Sequence, residues 1–335
     1  MKQTNSLQRL GLVLTACGLL MTQTASALIT IDSVPVGNAG NVADPTTGYG
    51  AVGYDYRIGK YEVTLNQYTA FLNAVAKTDT YGLYNTQMGL NQNIRGISRS
   101  GTSGSYTYSV IGSGNRPVTY VSWYDSARFV NWLGNGQPVG LQAVGTTETG
   151  AYTLNGALSG FIMRNANATF SLPSENEWYK AAYHQPVGQG GDSDSYWLYP
   201  TANNAIPSSR NGSVSDVNSA NFRFGGFAVT GLPSYSASQN YLTDAGAFSV
   251  ADSYYGTFDQ GGNVWEWNDA ESGSLQGLGG GSWDWFEIWL RASYRNRDDP
   301  TIESSTVGFR VAIVPEPAVA GLMVLGMVLV AWKRK

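Results

Sequence analysis

The chain of 335 residues has room for two average domains or one large one, and 13% of its residues are charged, 13% are aromatic and 41 are glycine, with a formal net charge of −4. This charge argues against a nucleic-acid binder, because such a protein needs a positive face to neutralise phosphates. One cysteine and one histidine exclude a disulfide framework and any site built from several thiol or imidazole ligands.

Residues 1–27 predict a secretory signal peptide. Lys2 and Arg9 give a positive start, residues 10–21 are mostly apolar, and Ala25-Ser26-Ala27 supplies the small residues of a cleavage site. A lipid-attachment motif ending at Cys17 and a buried N-terminal helix are the alternatives. Because Cys17 is the one cysteine, cleavage after Ala27 leaves the mature chain without a thiol. We therefore expect an exported protein.

Three stretches show helical periodicity. In residues 64–76 apolar side chains recur at a spacing of three or four, and residues 124–133 repeat this pattern behind Ser122, which can cap a helix. Residues 174–183 begin with a capping box, in which Ser174 is followed three residues later by Glu177. The sequence therefore predicts three short helices.

The rest of the core predicts short strands and long turns. Polar and apolar residues alternate in residues 105–110 and 151–154, which is typical of strands. Stretches rich in glycine and serine at 95–105, 186–195 and 203–220 predict loops. Since no repeat or charged hinge divides the chain, we expect one irregular, loop-rich α+β domain over residues 28–313.

The C-terminal residues 314–335 predict a second address. A Pro315-Glu316-Pro317 segment precedes apolar residues 318–332 and a basic tip. This order resembles the PEP-CTERM sorting signal of Gram-negative bacteria. It implies transient membrane anchoring through a short hydrophobic helix, processing by exosortase-type sorting machinery, and a final place in the cell envelope, at the cell surface or in the extracellular matrix. A plain tail anchor is the alternative.

The two ends hide the true charge of the core. Together they carry five of the 20 basic residues and one of the 24 acidic residues, so the core between them has a net charge of −8. An acidic, cysteine-free core fits an exported protein that meets divalent cations.

Five segments, in order, resemble the sulfatase-modifying-factor family, whose founding activity is formylglycine generation. They are Tyr56-Arg57-Ile58-Gly59-Lys60-Tyr61-Glu62-Val63-Thr64; Arg116-Pro117-Val118 with Val121-Ser122-Trp123; Phe170-Ser171-Leu172-Pro173-Ser174-Glu175-Asn176-Glu177-Trp178; Gly262-Asn263-Val264-Trp265-Glu266-Trp267; and Gly280-Gly281-Ser282-Trp283 with Arg291-Ala292-Ser293-Tyr294-Arg295 and Gly308-Phe309-Arg310-Val311. The resemblance implies the irregular fold of formylglycine-generating enzymes, which is related to C-type lectins.

The tryptophans and arginines of these motifs have a structural explanation. A loop-rich domain needs large rings to bury enough apolar area. We therefore expect five motif tryptophans in the core: Trp123, Trp178, Trp265, Trp267 and Trp283. The planar guanidinium groups of Arg291, Arg295 and Arg310 are expected to tie loops to carboxylates or carbonyls.

The family resemblance makes the cysteine count informative. Formylglycine-generating members carry a cysteine pair in their closing block, and this pair binds copper(I), an ion that thiolates select. The corresponding residues 283–291 contain no cysteine. Relatives that use iron hold it with several histidines, whereas His184 is alone here. His184 is expected to end the third helix as a cation or through a helix-terminal hydrogen bond.

The resemblance also implies a calcium site, because the residues that bind calcium in the family have counterparts in this sequence. Matched residue by residue, it uses the side chains of Asp259 and Glu266 and the carbonyls of Gly262 and Val264, which are the hard oxygen ligands that calcium prefers. The alternative is that both acids are ordinary surface residues. The resemblance implies a structural calcium ion and neither copper nor iron.

A second calcium site of the family begins at Asn221 and Phe222. The Asn221 side chain and the Phe222 carbonyl would be ligands, and Asp244 is the candidate acid downstream.

Two classes of function remain. The first is a non-catalytic binding or structural domain for an extracellular polysaccharide or peptide. Its possible ligand-binding face consists of Trp283, Asp284, Trp285, Glu287, Trp289 and Arg291; the alternative is that these rings pack in the core. The second is an enzyme of the formylglycine-generating or non-heme-metal oxidase superfamily with altered chemistry, in which Asp284 with Glu287, or Asp298 with Asp299, does acid–base work.

Overall fold

The computed structural model describes residues 28–209 and 216–314 of the chain. The predicted signal peptide, and the predicted sorting signal after Val314, lie outside these residues. Within the described part of the chain, no helix combines the length and the apolar character needed to cross a bilayer.

Four short α-helices form within the described residues. They are α1 (Leu65–Val75), α2 (Gln87–Leu90), α3 (Trp123–Gly134) and α4 (Glu175–Tyr183). The three predicted helices are confirmed as α1, α3 and α4, and each begins with a complete capping box, including the predicted one at Ser174. Helix α2 was not expected, because its four residues are too few to show a period.

The same part of the chain contains ten short strands. They are β1 (Ser33–Val36), β2 (Tyr56–Gly59), β3 (Ile97–Ser100), β4 (Thr107–Val110), β5 (Phe170–Ser171), β6 (Trp265–Ser272), β7 (Leu275–Gly279), β8 (Asn296–Asp298), β9 (Val307–Phe309) and β10 (Ala312–Ile313). Two short 3₁₀ helices lie at Val187–Gln189 and Glu287–Leu290. The α+β class predicted from the sequence is confirmed.

The strands form three small sheets. One has the order β1-β2-β10-β5 and is antiparallel throughout, and β3 with β4 forms a hairpin. The third has the order β8-β7-β6-β9, with β6 and β9 parallel. Strand β6 therefore lies between two neighbours, which fixes the position of the motif that enters it.

Two strand predictions need correction. Residues 95–105 were expected to be a loop, but they contain β3, whose Ile97 pairs with Val110 of β4. Residues 151–154 were expected to be a strand but make only an isolated bridge at Tyr152. The Asn131 side-chain amide bonds both the backbone nitrogen and the carbonyl of Tyr152, at 2.8 and 2.9 Å, and so takes the place of a partner strand.

The five motif tryptophans lie in the core, as expected, with exposures of 0% to 4%. Trp123, Trp265 and Trp267 belong to the main core cluster, which joins α1 and α3 to β6 and β9. Phe129 of α3 packs edge-on against Phe309 of β9 at 5.3 Å between ring centroids. This core anchors the motifs from which the candidate site is built.

Candidate functional site

A buried ion pair lies where the hexapeptide 262–267 enters β6. Glu266 and Arg310 are both 0% exposed. Arg310 donates from Nε and Nη2 to the two carboxylate oxygens of Glu266, at 2.5 and 2.6 Å. Trp178 Nε1 adds a third hydrogen bond to Glu266 Oε2 at 2.7 Å. Glu266 is thus the internal counter-ion of Arg310, and the alternative that it is an ordinary surface acid is wrong.

Two further acids surround this pair, and we call Glu62, Asp259 and Glu266 the carboxylate cluster. Glu62 is 1% exposed. Burial, followed by the negative charges of Asp259 and Glu266, raises the pKa of Glu62 well above its ordinary value. Burial also raises the pKa of Asp259 to about 6. Three carboxylates facing the single guanidinium of Arg310 leave negative charge that protons or a cation must balance.

The sequence analysis quoted Glu62 in a motif but gave it no role. Its Oε1 accepts a hydrogen bond from Asn263 Nδ2 at 3.0 Å, whereas its Oε2 is buried without a hydrogen-bond partner among the described residues. Strand β2 ends at Gly59, so its alternation does not extend to Glu62. The place of Glu62 in the motif of residues 56–64 was the signal that could have found it.

The predicted calcium ligands fit an ion only in part. Asp259 is partly buried, accepts a hydrogen bond from the Gly246 nitrogen at 2.5 Å, and lines a small cavity of ≈ 10 Å³. Calcium needs six to eight oxygens, and Glu266 offers its own only in competition with Arg310. Among residues 28–209 and 216–314, no three His, Cys, Asp or Glu side chains are grouped to hold one metal ion. The negative charge of the carboxylate cluster suits a cation, but few of its oxygens are free to bind one. The calcium site therefore stays a prediction.

At the second predicted site, the Asn221 side-chain nitrogen and the Phe222 carbonyl already make hydrogen bonds. Asn221 Nδ2 donates to the Tyr241 carbonyl at 2.9 Å and to Asn263 Oδ1 at 3.0 Å, and the Phe222 carbonyl accepts a hydrogen bond from Ser209. Thr243 donates from its backbone to Asn263 Oδ1 at 3.2 Å, which brings the chain next to Asp244 close to Asn221. The ligand role of Asn221 and Phe222 remains a prediction.

The inner side of the closing segment, residues 283–291, is filled with aromatic rings. Trp285 packs against Trp289 with ring centroids 4.4 Å apart, and both rings meet Trp265 edge-on at 6.1 and 6.2 Å. Tyr294 packs against Trp289 at 4.0 Å. The space next to Trp265 is therefore occupied by indole rings, and neither a thiol nor an imidazole is present in this segment.

The outer side of the closing segment presents apolar groups to solvent. Phe286 and Ile288 are 49% and 48% exposed, and Trp285 and Trp289 are partly exposed. We call these four residues, together with Glu287 between them, the aromatic face.

The remaining predicted face residues have different positions. Trp283 is 3% exposed and stacks on Tyr241 at 4.9 Å, so it belongs to the core and not to the surface. Asp284 lies at the rim, 3.7 Å from Arg223, and burial raises its pKa. Arg291 is partly buried and donates from Nε to the Tyr199 hydroxyl at 3.0 Å. Of the six predicted residues, only Trp283 is buried, and the other five are partly exposed.

The acid–base candidates outside the closing segment have local explanations. His184 caps the end of α4, and burial followed by the charge of Lys180 lowers its pKa to about 4, so its expected cationic role is wrong. The imidazole pairs with a residue outside the helix, since Nδ1 lies 2.7 Å from the Tyr255 hydroxyl, and not with a carbonyl of the helix end. Asp299 accepts two hydrogen bonds from Thr301, which lower its pKa, so it stays ionised beside Asp298 and is poorly suited to be a proton donor.

The part of the chain that contains the five motifs also matches known proteins. The model of the sulfatase-modifying factor enzyme 1-like domain matches residues 21–314. No curated protein matches the chain. Among solved structures, CarF is similar at 20% identity and a TM-score of 0.50, over 86% of this chain and all of CarF.

Two further solved structures are similar at lower TM-scores. Treponema denticola variable protein 1 has 19% identity and a TM-score of 0.42, over 84% of this chain and 95% of its own. PvdO from Pseudomonas aeruginosa has 16% identity and a TM-score of 0.40, over 85% of this chain and 92% of its own. The family match spans most of the chain, and the CarF similarity agrees with the fold. The chain belongs to the sulfatase-modifying factor enzyme 1-like domain family.

Proposed function

We propose that this protein is an exported binding or structural domain of the cell surface or extracellular matrix, which keeps the family scaffold without the formylglycine-generating reaction. The observation that carries the proposal is the closing segment, where indole rings surround Trp265 in the part of the chain that holds a cysteine pair in formylglycine-generating relatives. Residues 28–335 contain no cysteine, so copper(I) would find no thiolate there.

The aromatic face supports a ligand that is a polysaccharide or a peptide. Exposed apolar rings supply large contact area at low entropic cost, and Asp284 and Glu287 at the same surface accept hydrogen bonds. The cation Arg223 lies over the Phe286 ring at 5.5 Å and pairs with Asp284, which orders the rim of the face. Neither a metal nor a nucleophile is needed for such a surface to bind.

Array binding tests this proposal. The purified protein is applied to glycan and peptide arrays beside a variant carrying Phe286→Ala and Glu287→Gln on the aromatic face, with Leu232→Ala as a control at another exposed apolar position. We expect the wild type and the control to share ligands that the double variant no longer binds, without a change in melting temperature. Absence of binding to every glycan and peptide would refute the proposal, as would equal binding by the double variant.

We also propose that calcium stabilises the fold. The first support is the carboxylate cluster, in which three acidic groups surround the one positive charge of Arg310. The second is the position of Glu62 beside a cleft of ≈ 500 Å³ that borders residues 28–32. Asp259 with the carbonyls of Gly262 and Val264 would hold the ion. Glu62 would add negative charge nearby.

Melting curves decide the role of calcium. Because a ligand that binds only the folded state stabilises it by mass action, added calcium should raise the melting temperature and EDTA should lower it. Asp259→Asn should reduce this difference, whereas Asp252→Asn, at an exposed acid nearby, should leave it unchanged. Equal melting temperatures in calcium and EDTA would mean that protons, not calcium, balance the cluster.

The two terminal sequences supply the proposed destination. The signal peptide would direct export, and the sorting signal would bring the protein to exosortase-type machinery before release or retention at the envelope. The acidic core gives no basic surface for nucleic acid, in keeping with an extracytoplasmic role.

A further inference from the structure

A second cleft, apart from the closing segment, has the chemistry of a binding site. It has a volume of ≈ 340 Å³ and lies between the turn that joins β6 to β7, residues 159–161 and residues 299–301. Backbone contacts fix two of its walls: Gly160 accepts a hydrogen bond from the Tyr124 hydroxyl, and Pro300 accepts one from the Trp123 nitrogen at 3.0 Å. Both donors belong to α3, so the walls rest on the rigid part of the fold.

The floor of the cleft carries a row of polar side chains. Gln276 of β7 pairs in register with Glu271 of β6 on one side and with Asp298 of β8 on the other. Directly opposed residues of antiparallel strands project to the same side of a sheet, so a carboxylate, an amide and a second carboxylate lie side by side. Glu271 and Gln276 line the cleft, and Asp299 joins them from the next residue of the chain.

Gln276 is under-satisfied. Its side chain is 3% exposed, and its Oε1 is buried without a hydrogen-bond partner among the described residues. A buried amide oxygen normally has a hydrogen-bond partner, and leaving it without one destabilises the folded state. Because Gln276 lines the cleft, we take a donor on a ligand in the cleft to be the partner of this oxygen.

Apolar groups lie beside this polar row. Phe161 is 48% exposed and Leu275 is 38% exposed, and both line the cleft. An exposed aromatic ring next to several hydrogen-bond acceptors matches a sugar ring, which has an apolar C–H face and a rim of hydroxyl donors.

The charge of the cleft further restricts the class of ligand. Its described lining includes the carboxylates Glu271 and Asp299 and no lysine or arginine. Two hydrogen bonds from Thr301 lower the pKa of Asp299 and keep it ionised. A phosphate, sulfate or uronate would meet like charge here, whereas neutral hydroxyl groups would donate to the carboxylates.

We infer that this cleft binds a neutral saccharide, with Phe161 stacking on the sugar ring and Gln276, Glu271 and Asp299 accepting hydrogen bonds from its hydroxyl groups. This site is separate from the aromatic face, because it shares no residue with the closing segment, and it goes beyond the proposed function by adding a second binding surface.

Isothermal titration tests the inference with four neutral tetrasaccharides, built from glucose, galactose, mannose and N-acetylglucosamine, and with an oligogalacturonate of the same length. The variants are Phe161→Ala, Asp299→Asn and Phe286→Ala, the last being a phenylalanine of equal exposure on the aromatic face. We expect at least one neutral tetrasaccharide to bind, its affinity to fall about tenfold in Phe161→Ala, and the oligogalacturonate to bind weakly. Asp299→Asn should relax the exclusion of the oligogalacturonate.

The titration separates the two surfaces by stoichiometry. If the aromatic face also binds saccharide, Phe286→Ala removes one site and Phe161→Ala removes the other, and both variants should melt like the wild type. Failure of all four tetrasaccharides at about 10 mM would overturn the inference. A Phe161→Ala titration identical to that of the wild type would overturn it equally, as would tighter binding of the oligogalacturonate.

Discussion

Arg310 and Glu266 show what a single residue contributes to this molecule. Arg310 also donates to the carbonyls of Gly59 and Phe258, at 2.9 and 2.8 Å, so one side chain joins β2, the segment before the hexapeptide and β6. The sequence suggested this loop-tying role for Arg310, because a guanidinium in a loop-rich fold needs carboxylate and carbonyl partners. Its match to Glu266 was missed, because the family resemblance assigned that acid to calcium.

Arg310→Met tests how much the Arg310–Glu266 ion pair contributes to stability. Removing one partner of a buried ion pair leaves an unpaired buried charge, so we expect a loss of about 3–5 kcal/mol in the free energy of unfolding. The control is Arg223→Met in the exposed pair with Asp284, where the loss should stay below about 1 kcal/mol. Urea unfolding gives both values, and equal losses in the two variants would contradict the account.

Asp125 gives a prediction about pH. It is 2% exposed, and burial, aided by the charge of Glu303, raises its pKa to about 7 against the opposing hydrogen bonds from Ser122. Between about pH 4 and pH 7 the unfolded chain releases this proton while the folded chain retains it, so stability should fall as the pH rises.

Asp125→Asn should remove part of this dependence, since an amide stays neutral and can still accept from Ser122. Urea midpoints at pH 5 and pH 8 measure it for both proteins. We expect a smaller fall in the variant, and identical falls would show that Asp125 does not titrate in this range.

At the scale of the elements, prediction succeeded where the sequence carried a local chemical signal. The capping boxes at Ser122 and Ser174 mark the start of α3 and α4, because a side-chain oxygen at that position satisfies a free backbone nitrogen. Strand β3 was missed because its Ile-Ser-Arg-Ser sequence looks like a loop and is held by its partner β4. The strand predicted at 151–154 does not form, because the Asn131 side chain makes the backbone hydrogen bonds that a neighbouring strand would make.

Ser174→Ala tests the capping of α4. The Ser174 hydroxyl accepts from the Glu177 nitrogen at 3.2 Å, and the Glu177 carboxylate accepts from the Ser174 nitrogen at 2.6 Å. Loss of the hydroxyl should cost about 1 kcal/mol, whereas Ser193→Ala in an exposed loop should cost almost nothing. Thermal and urea unfolding report the difference, and equal stabilities would argue against a role for the cap.

At the scale of the whole molecule, the sequence predicted the fold class well and the site only in outline. The ordered motifs identify the scaffold, since four of the five supply a buried tryptophan and the first supplies the buried Glu62. They could not show that Phe286 and Ile288 are exposed beside the buried Trp283, because the mixture of apolar and acidic residues in this segment has no clear period. The cleft at Gln276 was also beyond reach, because its polar row is assembled from three strands.

The central claim is that this scaffold is retained without the thiol oxidation of its formylglycine-generating relatives. Incubation of the purified protein with a cysteine-containing sulfatase peptide, oxygen and copper, followed by mass spectrometry, tests it most directly. An active formylglycine-generating enzyme serves as the positive control. We predict no aldehyde product above the no-protein background, since residues 28–335 carry no cysteine. Product formed above that background would contradict the account.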